Sequence, residues 1–257
     1  MKGLADRVYL VAGAGRGIGA AVATRLAREG AKVVLGDLDL ATVRDTAAKI
    51  QADGGTAHAV HYDQSDEDSV ARLVLQTVEH FGVLHGLHAN AADISAPTMA
   101  ADLDLLRMTP EAWTRVLRVN LIGYALLIRE TLPHLLGNDT GGAIVCTTSD
   151  ADDLGQRSLP AYAASKAGID TLVRHTASRW GKQNIRANAV APGLVQTETA
   201  QELSSSAHVE KSLAAVRSPR LGVPDDIAST VAFLLSDEAC WVNGQVWSVN
   251  GGMLMRG

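Results

Sequence analysis

A three-layer, doubly wound α/β fold of the Rossmann type, built on a seven-stranded parallel sheet, is what this sequence predicts, and three observations carry it. Short runs of β-branched and aliphatic residues alternate with longer segments of helical period along the chain. No domain linker interrupts the alternation. The 257 residues, with a mean hydropathy of +0.07, are enough for one large core. Parallel strands need right-handed crossovers that return each strand beside its neighbour, so helices must cover both faces of the sheet. A single domain over residues 1–257 is expected.

The first strand is Val8-Tyr9-Leu10-Val11, followed by a helix from Ala20 to Glu29. Lys32 to Leu35 and then Leu40 to Asp53 form the next unit, and Ala57 to His61 with Glu67 to Phe81 the third. Leu87 to Ala89 is the fourth strand, and a long helical stretch runs from Pro110 to about Leu136. Ala143 to Thr147, a helix around Tyr162 to Trp180, and Ile185 to Val190 continue the pattern. After Pro192 the period weakens, and the segment from Glu198 to Pro219, rich in Ser, Ala and charge, is expected to form a mobile substrate lid. A last helix opens at Pro224-Asp225-Asp226, with proline in its first turn and acids at the positive end of the helix dipole. Gln245 to Val249 is the seventh strand.

Bulk properties exclude several classes of function. The formal charge of -5, without a basic run or stripe, argues against nucleic acid or an anionic membrane as partner. No apolar run is long enough to span a membrane, and the opening Met1-Lys2-Gly3-Leu4-Ala5-Asp6 has no leader-like pattern. Of the two cysteines, Cys146 lies in the apolar run Ala143-Ile144-Val145-Cys146, which suits a buried thiol in a reducing, cytoplasmic setting better than a disulfide. The eight histidines are scattered, and no metal site is expected.

Directly after the first strand comes Gly13-Ala14-Gly15-Arg16-Gly17-Ile18-Gly19. Glycines here allow a sharp turn, close approach of the backbone to a pyrophosphate, and helix N-terminal amides aimed at its charge. Placed between strand and helix, the turn reads as a dinucleotide site. Asp37, followed by Leu38, ends the second strand 18 residues after Gly19, where a carboxylate accepts hydrogen bonds from the adenosine ribose hydroxyls and repels a 2′-phosphate. Arg16 argues the other way, for NADP. Asp37 weighs more, because a buried like-charge contact costs more than an exposed arginine returns, so NAD is the expected cofactor.

Tyr162 and Lys166 stand four residues apart, on one face of a helix. A phenol is a poor base at neutral pH unless a nearby cation stabilises the phenolate, and Lys166 can supply that charge. The spacing alone also suits an ordinary surface helix. Taken with the glycine turn, Asp37, Asp63, Asn90-Ala91, Asn120, Ser149, Pro192-Gly193 with Thr197, and the ending Asn243-Gly244-Gln245 with Gly251-Gly252, however, the chain resembles the short-chain dehydrogenase/reductase family over nearly its whole length.

The resemblance implies an NAD(P)-dependent oxidoreductase that interconverts a secondary alcohol and a ketone. Tyr162 would be the acid/base, Ser149 would hold the substrate oxygen, and Lys166 would tune Tyr162 and grip the nicotinamide ribose. Asn120 would anchor a proton-relaying water. Gly13, Gly15, Arg16, Gly17, Ile18, Gly19, Asp37 and Leu38 would bind the dinucleotide together with Asp63, Gln64, Asn90, Ala91, Tyr162, Lys166, Pro192, Gly193 and Val195. Asp63 and Gln64 would meet the adenine and Thr197 the carboxamide. A homotetramer is implied too, with Trp241 and Trp247 buried in one of its interfaces. The alternatives are an NADPH-dependent ketone or oxoacyl reductase, favoured by Arg16, and a silent dinucleotide-binding regulator, which would have a broken tetrad.

Three features depart from the family pattern. Ala12 replaces a threonine that ties the first strand to the loop after the fourth. Ala89-Asn90-Ala91-Ala92 replaces Asn-Asn-Ala-Gly. Asp150, Asp152 and Asp153 follow Ser149 where small or apolar residues are usual; either one of them faces the pocket and favours a polar or cationic substrate group, or all three are solvated. Leu154, Leu159, Leu194 and Leu203 suggest an apolar lining.

Overall fold

In the computed structural model, which describes residues 1–203 and 205–255 and all their side chains but those of 152, 203 and 208, seven strands form one parallel sheet. They are β1 (Val8–Ala12), β2 (Lys32–Asp37), β3 (Thr56–His61), β4 (Gly86–Ala89), β5 (Gly142–Thr147), β6 (Ile185–Pro192) and β7 (Val246–Val249), in the order β3-β2-β1-β4-β5-β6-β7. Val11 pairs with Leu35 on one side and with His88 on the other, which sets the register at the centre. The chain builds outward from β1 to β3, then crosses back to β4 on the other side of β1. That reversal opens a crevice at the C-terminal ends of β1 and β4, where a doubly wound sheet binds its ligand.

The period of two explains the layers. Tyr9, Val11, Val33 and Leu35 face α1 (Gly17–Arg28), α2 (Leu40–Ala52) and the last helix, where they pack with Val22, Leu26, Val43 and Val231. Leu10, Val34, Leu87 and Ile144 face the opposite way, against Leu73, Leu127, Ile169 and Val173. Those residues come from α3 (Glu67–Phe81) and from the helices that follow β4 and β5. A strand buried on both faces must be apolar at every position, which is why β1 shows no polar alternation.

Between β4 and β5 lie α4 (Ala96–Ala101), α5 (Pro110–Leu117) and α6 (Gly123–Leu136), the last two joined by a π-helical turn, Arg118–Ile122. The stretch expected as one helix is therefore continuous but carries one wide turn. The short α4, Ala-Pro-Thr-Met-Ala-Ala, has no apolar period and escapes sequence reading. α7 (Pro160–Trp180) follows β5. The segment 198–219 contains α8 (Glu198–Leu203) and α9 (Ser206–Ala215), and α10 (Pro224–Leu235) precedes β7. Among the described residues no helix is long and apolar enough to cross a membrane, and no three His, Cys, Asp or Glu side chains are arranged to hold a metal.

Candidate active site

The glycine turn leaves β1 with Gly13 at φ +80° and enters α1 through Gly17 at φ +58°, both in the left-handed region that favours glycine. The helix starts at Gly17, three residues before the expected Ala20, so its free amides face the crevice. Close approach explains the remaining glycines. A Cβ on Gly19 would stand 1.9 Å from the Gly13 carbonyl oxygen, and one on Gly13 would stand 2.6 Å from the Ala91 Cα. The loop after β4 is tied to this turn by Asn90, whose amide donates to the Gly13 carbonyl at 3.0 Å and whose backbone N–H donates to the Ala12 carbonyl at 3.0 Å.

The Asp37 carboxylate accepts the Gly15 N–H at 2.8 Å and the Asp39 N–H at 3.1 Å, so it is held rigidly at the end of β2. Asp39 caps α2 through the amides of Ala41 and Thr42. Hydrogen bonds from Thr42 and Ala41, with a smaller contribution from Arg16, hold its carboxyl below the usual range. Arg16 is half exposed and lies 3.8 Å from Glu202 of α8. Leu38 is 65% exposed and lines the same cleft beside these two acids.

Across the crevice, α7 carries Tyr162 and Lys166. Lys166 is almost fully buried, a placement that strands a charge unless it is partnered. Its ammonium donates to the Thr147 carbonyl at 3.0 Å and lies 5.2 Å from the ring centre of Tyr124 and 5.5 Å from that of Tyr162. The Tyr124 hydroxyl donates to the same Thr147 carbonyl at 3.2 Å. Burial pushes the phenols of Tyr9, Tyr62 and Tyr124 above their ordinary range. Ser149 sits just past the end of β5, its hydroxyl accepting the Ala151 N–H at 3.2 Å.

Asn120 lies in the π turn, fully buried, and does not line the cleft directly. Its side-chain oxygen accepts the Asp93 N–H at 2.7 Å and its amide donates to the Asp93 carbonyl at 3.3 Å, bracing the wall formed by the loop after β4. Wide helical turns of this kind commonly re-aim one residue at a functional site. Gln64 is buried as well: its amide donates to the carbonyls of Ala91 and Val119 at 2.9 and 2.7 Å and so pins the π turn to the same loop. The Asp63 carboxylate accepts both the amide and the hydroxyl of Ser65.

Apart from Asn120 and Gly19, every residue expected to act in catalysis or to bind the dinucleotide lines one cleft of about 1480 Å³. Pro192, Gly193, Val195 and Thr197 close its far side, with the Thr197 hydroxyl accepting the Ala200 N–H at the start of α8. Sequence reading missed Asp93, Arg115 and Arg118, which also line the cleft, and Tyr124 and Thr147, which seat Lys166. No local spacing marks them. Another cavity, about 480 Å³, opens at the N-terminal ends of the strands, opposite the crevice, where the charges of Arg7 and Asp237 are paired and Arg186 donates to the Leu234 and Ser236 carbonyls.

In the acidic cluster, the expectation that all three aspartates are solvated fails. Asp150 is buried and accepts a hydrogen bond of 2.5 Å from Asn250, a hundred residues on; neither it nor Asp153, which is exposed, lines the cleft. The side chain of Asp152 lies outside the described ones, as does that of Leu203. Of the other leucines, Leu194 lines the cleft, Leu154 is 40% exposed, and Leu159 precedes α7 at φ +66°.

A family model described as enoyl-(acyl carrier protein) reductase matches residues 13–254. Cis-4-hydroxycyclohexanecarboxylate dehydrogenase of Sinomonas cyclohexanicum is 39% identical over 98% of this chain and 98% of its own. Versicolorin reductase of Emericella nidulans is 38% identical over 97% of this chain and 96% of its own. Among solved structures, 7α-hydroxysteroid dehydrogenase complexed with NADH and 7-oxo glycochenodeoxycholic acid superposes with a TM-score of 0.91 at 30% identity, covering 97% of this chain and 95% of that one.

Proposed function

Because this chain belongs to the short-chain dehydrogenase/reductase family of oxidoreductases, we propose that it interconverts a secondary alcohol and a ketone with NAD(H), using Tyr162 as acid/base. The observation that carries the reading is the buried Lys166 ammonium, seated on the Thr147 carbonyl between the rings of Tyr124 and Tyr162 at the cleft. The nicotinamide, when bound, carries the hydride. The chain's own residues do the rest. Lys166 stabilises the phenolate, so that the Tyr162 hydroxyl can give its proton to a ketone oxygen or take one from an alcohol. Ser149 donates a hydrogen bond to the same oxygen, and Asn120 keeps the wall at Asp93 in place.

The residues present fit a dinucleotide. At Gly13 and Gly19 any side chain would strike backbone, so the turn packs tightly against the loop after β4 and the first turn of α1, and Gly13, Gly15 and Gly17 line the cleft at the N-terminus of α1, where a pyrophosphate is held. The fixed carboxylate of Asp37, with Asp39 close by, favours a ribose bearing free hydroxyls over one bearing a 2′-phosphate, and Arg16 is drawn toward Glu202. This supports NAD over NADP. A homotetramer also belongs to the proposal, since Trp241 stands 97% exposed in the single chain and Trp247 36%. So does a reducing, cytoplasmic compartment, with both cysteines free.

The test is a fluorescence titration with NADH and with NADPH, followed by turnover of a panel of a hydroxycyclohexanecarboxylate, a hydroxysteroid, a 3-oxoacyl thioester and an enoyl thioester. NADH is expected to bind at least about tenfold tighter, a difference of roughly 1.4 kcal/mol. Tyr162→Phe should lower kcat by about 10²–10⁴, with a far smaller loss of NADH affinity. Preference for NADPH would overturn the cofactor assignment, and turnover of the enoyl thioester alone would overturn the alcohol/ketone chemistry.

A further inference from the structure

The first turn of α7 is built unusually for a helix that carries an acid/base residue. Leu159, at its cap position, is left-handed at φ +66° and offers no side-chain acceptor. Pro160 has no N–H to satisfy. The next two amides, of Ala161 and Tyr162, are met from 59 and 60 residues earlier in the chain: the Asp102 carboxylate accepts them at 3.1 and 2.8 Å, one on each oxygen. The Asp102 carbonyl accepts the Leu159 N–H at 2.9 Å, and Ala163 N–H closes the first helical bond to the Leu159 carbonyl at 3.0 Å. Asp102 is 1% exposed. A buried carboxylate on helix N-terminal amides makes strong, charge-assisted bonds that also meet the positive end of the helix dipole.

Asp102 itself ends α4, its N–H donating to the Thr98 carbonyl at 3.2 Å. Thr98 in turn donates its hydroxyl to the Asp93 carboxylate at 2.7 Å, and Asp93 is the residue whose backbone Asn120 holds. One connected chain of hydrogen bonds thus runs from the cleft wall at Asp93, through α4, to the backbone N–H of Tyr162. We propose that Asp102 is a positioning residue: it locks the first turn of α7 to the wall at Asp93, so that the Tyr162 phenol and the substrate-side wall keep one fixed spacing. This rests on the reading of Tyr162 as the acid/base residue. Proton transfer between prepositioned groups falls steeply with misplacement, about 10²-fold for roughly 1 Å.

The experiment compares wild type, Tyr162→Phe, Asp102→Ala and Asp102→Asn, measuring NADH affinity by fluorescence, thermal unfolding, and kcat and KM with whichever panel compound wild type turns over fastest. Asp102→Ala is expected to lower kcat by about 10–100-fold with NADH affinity within about twofold of wild type. Asp102→Asn, which keeps one acceptor, should recover part of that loss. A kcat within twofold of wild type in Asp102→Ala would overturn the proposal. So would a kcat loss matched by equal losses of NADH affinity and folding. If Asp102→Ala does not fold, Asp102→Asn decides alone: reduced kcat at wild-type NADH affinity supports the role, and wild-type kcat ends it. Were Tyr162→Phe to keep full activity, the acid/base reading would fail instead, whatever Asp102 showed.

Discussion

The two walls of the cleft are made in different ways. On the proposed dinucleotide side, β1, the glycine turn, α1 and the end of β2 are close in the chain, and most of the chemistry is backbone: amides, glycines packed where a Cβ would collide with neighbouring backbone, and one carboxylate fixed by the Gly15 N–H. On the catalytic side, nearly every fixing contact is long-range. Lys166 rests on Thr147, Asn120 on Asp93, Tyr162 on Asp102, and Asp150 on Asn250. A wall built from one short stretch can be read from that stretch. A wall assembled from five stretches takes its geometry from the packing between them, and single substitutions there should act on placement more than on cofactor affinity.

Breaking the local wall should give the largest effect. Gly19→Ala puts a methyl group 1.9 Å from the Gly13 carbonyl oxygen, against backbone that cannot swing aside, so α1 must shift away from β1. Overpacking of this kind costs about 1–3 kcal/mol, and NADH affinity should fall roughly 10–100-fold by fluorescence titration. Unchanged affinity would show that the cradle is looser than the geometry implies.

The long-range wall is sharpened by Asn250→Asp, which sets two carboxylates 2.5 Å apart in a buried pair. About 2 kcal/mol of stability should be lost, or roughly 5 °C in Tm, with NADH affinity retained. The exchanged pair Asp150→Asn with Asn250→Asp should restore most of it, as a double-mutant cycle would show. No recovery would mean that the acid is needed at position 150 itself.

The smallest effect concerns β4, which both walls share. His88 is fully buried, with Nε2 on the Thr147 hydroxyl at 3.0 Å and no partner at Nδ1 among the described residues, and burial pushes its pKa down to about 3. The unfolded chain takes up a proton near pH 6.5 that the folded chain refuses, so stability falls as pH drops below 6.5 and goes on falling toward 3. At pH 5.5 this amounts to about 1 kcal/mol. His88→Gln does not titrate, and denaturant unfolding at pH 7 and pH 5.5 should show a smaller acid loss by that amount. An equal acid loss in both proteins would assign it to other groups.

Much of the candidate site was legible in sequence because its residues carry rules of their own. Glycines at Gly13 and Gly17 are demanded by positive φ, and Lys166 falls on the face of Tyr162 because a helix repeats every 3.6 residues. The strands were legible because burial on both faces forces apolar runs. Asp93, Tyr124 and Thr147 were not, since nothing near them in the chain differs from ordinary packing residues. The π turn at Arg118–Ile122 was hidden for the same reason: it has the composition of the helix around it.

By itself, then, the sequence determined the layers, the strand count and the glycine turn, all of which follow from local periodicity and from backbone conformations only certain residues can adopt, while the proposed reactive side chains were named through the family resemblance. Tertiary structure alone decided that Asp150 is tied to Asn250 at the C-terminal loop and does not line the cleft, that Asn120 braces Asp93 from within a wide turn, and that Asp102 caps the helix of Tyr162. A buried carboxylate must find its donors wherever the fold brings them. Which donors those are depends on how elements 60 or 100 residues apart pack together, and no spacing along the chain records that.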